Sequence, residues 1–172
     1  MLSSDQKGAI AETAVIHEAV KLGIGVLKPV NDGLRYDLVL DIDEQLVRVQ
    51  VKWAPRHADV VIIRAYSCRR TRDGLVRRPY TPEEVDAYAA YCRELDRCYF
   101  LPIAEFVGQK QIQLRVAPAK NNQTRGIIWD KDYEFTARLG AHQGAVAQLG
   151  ERAAGSREVR GSIPLGSIDS VR

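Results

Sequence analysis

The chain has little of what builds disulfide frameworks or soft-metal sites. Its 172 residues include three cysteines (Cys68, Cys92, Cys98) and three histidines (His17, His57, His142). The cysteines are odd in number and never spaced as CxxC, and no histidine stands near a cysteine pair. Reduced thiols are therefore expected, without a disulfide scaffold or a zinc site. No apolar run reaches the roughly 18 residues of a membrane-spanning helix, and the N-terminus lacks a secretory-signal pattern. No membrane partner is expected, and the cytoplasm is the expected compartment. An excess of one charge sign is also lacking. A net +3 is too small to identify a nucleic-acid partner, so that case must rest on where the charges sit. With 45% hydrophobic and 27% charged residues, the composition is that of a globular chain long enough for one real core.

The elements that are present alternate in kind. Ser3-Ser4-Asp5 offers N-caps for a helix running to about Leu22, where Gly23 supplies a stop. A strand at Val26-Leu27-Lys28 follows, then a loop over Pro29 to Gly33. Val60 to Tyr66 starts as a near-continuous apolar run, which suits a buried central strand. Residues 67–80 read as a basic loop. Thr81-Pro82-Glu83-Glu84 has the form of a capping box with proline at the first helical position, so a second helix is expected to about Cys92. Cys98 to Leu101 is a strand ended by Pro102, and Ile112 to Val116 is a candidate edge strand.

The chemistry concentrates between the first strand and the basic loop. Asp37 opens the apolar run to Asp41. Leu46 to Lys52 alternates, with Val47, Val49 and Val51 on one face and Gln50 and Lys52 on the other. Asp43-Glu44 marks a turn, and a hairpin centred there sets Asp37 roughly opposite Gln50. One carboxylate, one amide and one ammonium then converge at one end of one sheet. Hard oxygen ligands suit Mg²⁺, and a lysine suits an attacking water or a phosphate oxygen. Asp41 and Asp43 read as turn acids.

This arrangement resembles the PD-(D/E)xK nuclease superfamily in its glutamine variant. Tyr36-Asp37 stands for the "PD" and Gln50-Val51-Lys52 for the "ExK", with Tyr36 replacing the proline and Gln50 the second acid. The resemblance extends to the small group that contains group I intron homing endonucleases, through Gly8 to Glu12, Arg35 to Val39, Val49 to Lys52, Asp86 to Tyr91 and Asn121-Asn122-Gln123. It covers roughly residues 5–136. It implies an α/β, restriction-endonuclease-like core with a central mixed β-sheet flanked by helices. It also implies a metal-dependent DNA endonuclease using Mg²⁺, with Mn²⁺ as substitute. Asp37, Gln50, the Val51 carbonyl and Glu12 would hold the metal, and Lys52 would act on water. So small a chain reads a long target by repeating itself, so a homo-oligomer, dimer or tetramer, on double-stranded DNA is expected. The alternatives are a restriction, repair or junction-resolving nuclease, or a catalytically silent DNA-binding protein of the same fold.

Three further features bear on this reading. At 100° per residue, Glu12 shares its helix face with Ala9, Val15, Ile16, Ala19 and Val20, an apolar stripe on which a carboxylate needs a metal or a cation. Arg64, Arg69, Arg70, Arg72, Arg77 and Arg78 stand against one acid, Asp73, in a stretch suited to neutralising phosphates and to reading guanine. Tyr88, Tyr91, Tyr99 and Trp129 read as core or interface aromatics. From about Gly140 no apolar period is sustained, which divides the chain into a nuclease domain at 1–140 and an expected disordered tail at 141–172. Val146-Ala147-Gln148 can be encoded by GTA-GCT-CAG, as at a tRNA D-arm, and Gly161-Ser162-Ile163-Pro164 by GGT-TCG-ATT-CC, the T-arm consensus. The fifteen codons from Val146 to Arg160 match the distance between those arms. The tail reads as translation into an adjacent tRNA gene.

Overall fold

A computed structural model describes residues 1–118 and 125–140. Asn121-Asn122-Gln123 and the tail from residue 141 lie outside the described residues. The chain opens with α1 (Ser4–Lys21), capped by a reciprocal box in which Ser3 Oγ accepts from Gln6 N–H and the Gln6 side chain accepts from Ser3 N–H. Gly23, at φ +68°, takes the left-handed turn that ends it. Strands β1 (Gly25–Leu27), β2 (Leu38–Ile42), β3 (Gln45–Trp53), β8 (Ala87–Cys92) and β9 (Arg97–Pro102) form one sheet in the order β1-β2-β3-β8-β9. The β3–β8 pair is parallel and every other pair is antiparallel, so the central sheet is mixed. The long crossover between β3 and β8 carries β4 (Arg56–His57), β5 (Val60–Arg64), β6 (Tyr66–Thr71) and β7 (Gly74–Pro79). Strand β10 (Gln111–Arg115) pairs with β5, giving a second sheet of order β10-β5-β4.

Each face of the central sheet has its own core. On one side Ala11, Val15 and Ala19 of α1 lie on Leu38, Leu40, Val49, Val51, Ala87 and Ala89, with Phe135 and Leu139 of the short α2 (Phe135–Leu139) closing the end. On the other, Val61, Ile63, Ile112 and Leu114 of the small sheet pack on Tyr88, Ala90, Tyr99 and Leu101. Alternation along β8 and β9 supplies both cores from one pair of strands. The mixed α/β sheet expected from sequence is present, with helices on one face and a three-stranded sheet on the other. Among the described residues no helix is long and apolar enough to cross a membrane.

Several local expectations change. Residues 81–92 are a turn followed by β8, with no helix. Thr81 O accepts from Glu84 and Val85 N–H, closing one turn, and the Glu84 carboxylate that would complete a capping box binds Arg35 and Arg78 instead. Ala87 to Cys92 is almost wholly buried between two layers, where Ala87 and Ala89 let α1 approach and Tyr88 fills the opposite side. Tertiary burial overrides a local helix signal. Residues 66–79 are the two-stranded ribbon β6–β7 and no loop. The Val60 to Tyr66 run breaks at Ala65: its first part is the middle strand of the small sheet, and Tyr66 starts the ribbon. The buried stripe of α1 is Ala11, Val15 and Ala19, whereas Ala9 and Val20 are exposed. Glu12 thus borders the stripe and does not sit within it. Cys92 and Cys98 are buried and Cys68 is exposed, all as free thiols.

Candidate active site

The site is built on the β2–β3 hairpin. Ile42 and Gln45 pair across a two-residue turn in which Asp43 and Glu44 both have positive φ, the left-handed pair that a tight hairpin requires. This fixes the register: Leu38 faces Val49, and Asp37 N–H donates to Val49 O at 2.9 Å. Asp37 therefore stands at the end of the ladder beside Gln50. Val49 and Val51 turn into the α1-side core, and Gln50 and Lys52 alternate to the other face.

The contacts join the predicted residues closely. Asp37 Oδ2 accepts from Val51 N–H at 2.8 Å and from Gln50 Nε2. Gln50 Nε2 also donates to Val51 O at 3.3 Å. Gln50 is only 8% exposed, one of two buried polar residues among those described. Burial is the main influence on both charged members. It pushes the Asp37 carboxyl up, against the bonds and the Lys52 charge that favour its ionised form. It pulls Lys52 down to about 8, against the attraction of Asp37. A lysine so placed releases its proton more readily than one in open solvent.

Glu12 reaches the same place from α1. It lines a cavity of about 140 Å³ with Asp37, Tyr36, Asp32 and Lys28. Its Oε2 accepts from Lys28 Nζ at 2.7 Å, so the cation expected beside Glu12 is Lys28. Glu12 raises the Lys28 pKa, and Lys28 was not foreseen because it stands sixteen residues away in a separate strand exit. Among the described residues no three His, Cys, Asp or Glu side chains gather closely enough to hold a metal by themselves. Two carboxylates and a backbone carbonyl supply oxygen here, while Gln50 presents its Nε2 to Asp37 and Val51 O. That chemistry fits Mg²⁺ or Mn²⁺ and does not fit a soft-ligand metal.

Lys52 lies on the other side. Its Nζ donates to Tyr80 OH at 2.9 Å and sits 4.5 Å from the Tyr80 ring centroid. Arg35 lies 4.0 Å from the same centroid. It is held by Glu84 Oε2 at 3.0 Å, Ser67 Oγ at 2.8 Å and Pro79 O at 2.7 Å. Lys52, Trp53, Arg64, Tyr66, Arg77 and Tyr80 line a cavity of about 450 Å³. Arg69, Arg70 and Arg72 are exposed along the ribbon. Arg78 is also exposed but ion-paired with Glu84, which ties it to the body of the protein. Tyr80 ends an arginine-rich run and has no spacing that marks it, so no sequence signal could have found its place. A second anchor, Arg48 to Asp86 at 2.7 Å, pins the turn before β8 to β3 and fixes the parallel register.

Comparison with known proteins now decides the family. The model of the PD-(D/E)XK endonuclease family matches residues 2–136. The chain belongs to the PD-(D/E)XK endonuclease family. The match spans the hairpin, Lys52, the arginine ribbon and all of both cores except Leu139. Among solved structures, this PD-(D/E)XK chain is similar to a bacterial homing endonuclease, I-Ssp6803I, at 30% identity and a TM-score of 0.65. The likeness covers 92% of this chain and 100% of that one. No curated protein matches at a significant level. The family expectation is met, and so is the restriction-endonuclease-like fold.

Proposed function

We propose that the chain is a Mg²⁺-dependent endonuclease that hydrolyses phosphodiester bonds in double-stranded DNA. One observation supports the reading: Asp37 accepts from Gln50 and from Val51 N–H at the end of the β2–β3 ladder, shares a cavity with Glu12, and feels the charge of Lys52. Asp37, Glu12, the Gln50 amide turned to present its oxygen, and the Val51 carbonyl would hold the ion. With Gln50 neutral, the two carboxylates suit one ion better than two. A bound divalent ion supplies positive charge at the scissile phosphate and makes nearby water more acidic. Lys52 hydrogen-bonds the attacking water, accepts its proton or orients it, and faces the charge that builds on phosphorus. Arg64, Arg69, Arg70, Arg72, Arg77 and Arg78 neutralise the flanking phosphates, with Arg78 partly occupied by Glu84.

The likeness to a homing endonuclease favours a homing-type role, acting as a dimer or tetramer on a symmetric site. Restriction, repair and junction resolution use the same chemistry and are the second reading within the class. A silent DNA-binding protein would keep the ribbon without needing a buried Asp37–Gln50 pair. Calorimetric titration with Mn²⁺, alongside DNA cleavage with and without EDTA, tests the assignment. We expect binding to the wild type, none to Asp37→Ala, and retained or stronger binding to Gln50→Glu, which restores a ligand charge. Undiminished cleavage in EDTA would refute metal dependence, and unchanged binding by Asp37→Ala would remove Asp37 from the site.

A further inference from the structure

Tyr80 belongs to none of the motif positions, yet it is the residue to which Lys52 is attached. It is 8% exposed and packs against Tyr88, edge to face, with ring centroids 5.8 Å apart. Such packing fixes the ring, and a fixed ring gives its hydroxyl a fixed position. Lysine has a long flexible stem, and an ammonium left loose samples many rotamers. The Tyr80 hydroxyl at 2.9 Å and Tyr66 O at 3.5 Å give Lys52 Nζ two acceptors on the side of the ribbon. Arg35 closes the arrangement. Its guanidinium holds Ser67 of β6 and the carbonyl of Pro79 in β7, and it lies over the ring of Tyr80. The base of the arginine ribbon and the lysine of the motif therefore meet through one aromatic side chain.

We propose that Tyr80, braced by Arg35, is a positioning residue that holds the Lys52 ammonium in place for the reaction and ties it to the base of the DNA-contacting ribbon. This rests on the nuclease reading above for its chemical consequence, but its physical content can be measured without cleavage. Burial holds the Tyr80 hydroxyl in its neutral form, pushing it up to about 12, so it remains an acceptor for Lys52 throughout the working range. The ring and the hydroxyl have separable duties. The ring packs and receives Arg35, and the hydroxyl is the nearer of the two acceptors that fix Lys52. Removing only the hydroxyl should therefore leave the fold, the ribbon and DNA affinity alone while loosening the lysine.

Tyr80→Phe is the discriminating variant, with Tyr91→Phe as control because the Tyr91 hydroxyl bonds Asp96, away from Lys52. Loss of one hydrogen bond to a charged group predicts a single-turnover cleavage rate lower by about 10- to 100-fold at saturating DNA, with DNA affinity unchanged. Adding Tyr80→Phe to Lys52→Met should cost nothing further, because both act through the same ammonium. Arg35→Gln should lower the rate in the same sense. Proton NMR of the full chain supplies the cleavage-independent readout. The two Lys52 Hε protons, assigned by their absence in Lys52→Met, should be resolved in the wild type and collapse towards one averaged signal in Tyr80→Phe. An unaltered Lys52 signature in Tyr80→Phe overturns the proposal, as does a wild-type rate in a cleaving enzyme. A wild type that never cleaves, with the Lys52 signature still responding, refutes the nuclease reading and leaves the positioning intact.

Discussion

Among the described residues, the antiparallel hairpins β2–β3 and β6–β7 share one plan and stand in opposite surroundings. Both β2–β3 and β6–β7 close through two-residue turns, Asp43-Glu44 in the first and Arg72-Asp73 in the second. The first lies inside the five-stranded sheet, with Leu38, Leu40, Val49 and Val51 buried under α1. Every residue of β7 is exposed, and the ribbon pairs only with itself. Burial is what separates them. Inside the sheet a carboxylate and an amide are held in a hydrogen bond, and burial shifts the acidity of Asp37 and Lys52. On the ribbon the arginines are exposed, with Arg78 paired to Glu84 and Arg77 over the Tyr66 ring. The proposed function thus gives chemistry to one hairpin and affinity to the other, and Arg35, Tyr80 and Glu84 lie between them.

The largest expected effect is a double dissociation between the hairpins. Asp37→Ala or Lys52→Ala should lower cleavage by about 10²- to 10⁴-fold while DNA affinity measured by anisotropy stays near wild type. Replacing Arg69, Arg70, Arg77 and Arg78 together should weaken binding and leave the rate at saturating DNA largely intact. If both sets changed both quantities equally, the division of labour would be wrong. Next comes stability. Leu38→Ala in the buried hairpin should cost about 2–5 kcal/mol in urea unfolding, whereas Leu75→Ala, 58% exposed on the ribbon, should stay within about 0.5 kcal/mol. Equal costs would mean that the ribbon packs on the body.

Salt dependence sharpens the comparison within the ribbon. Removing one arginine that neutralises a phosphate should lower the slope of log affinity against log salt by roughly one. Arg69, Arg70 and Arg77 should each show this, and Arg78 less, since Glu84 already neutralises it. A full-sized effect at Arg78 would show that the ion pair opens on DNA. The smallest effect concerns the Arg48–Asp86 anchor beside the site. Arg48 holds the Asp86 carboxyl below its ordinary 3.8, so its stabilisation is present above that value and is lost as pH falls through the lower folded pKa. The pair is more than a third exposed at both ends. Asp86→Asn should therefore cost at most about 1 kcal/mol at neutral pH, and the gap from wild type should close under acid. A gap that persists once the carboxyl is fully protonated would show a contribution that does not depend on charge.

The parts legible in sequence were those whose signals are local. The Ser3 cap and Gly23 stop marked α1 to within a residue, and the alternation around Gln50 with the Asp43-Glu44 turn set the register of β2 on β3. That register carried Asp37, Gln50 and Lys52 to one place. What the sequence concealed depended on partners distant in the chain. A proline and a threonine ahead of Glu83-Glu84 looked like a helix start until Arg35 and Arg78 claimed Glu84. Ala87 to Cys92 is a strand because two layers press on it. Lys28 for Glu12, and Tyr80 for Lys52, are pairings across sixteen and twenty-eight residues that no periodicity announces.

The most direct measurement is cleavage of a supercoiled plasmid library carrying random inserts, by the wild type and Asp37→Asn side by side in Mg²⁺ at equal fractions of bound DNA. Asparagine preserves the size of the side chain and removes its charge, so binding and fold are held constant. The wild type should linearise a defined subset of inserts, and Asp37→Asn should bind the same subset without cutting it. Equal cutting by both, or none by the wild type on any insert it binds, would contradict a nuclease site centred on Asp37.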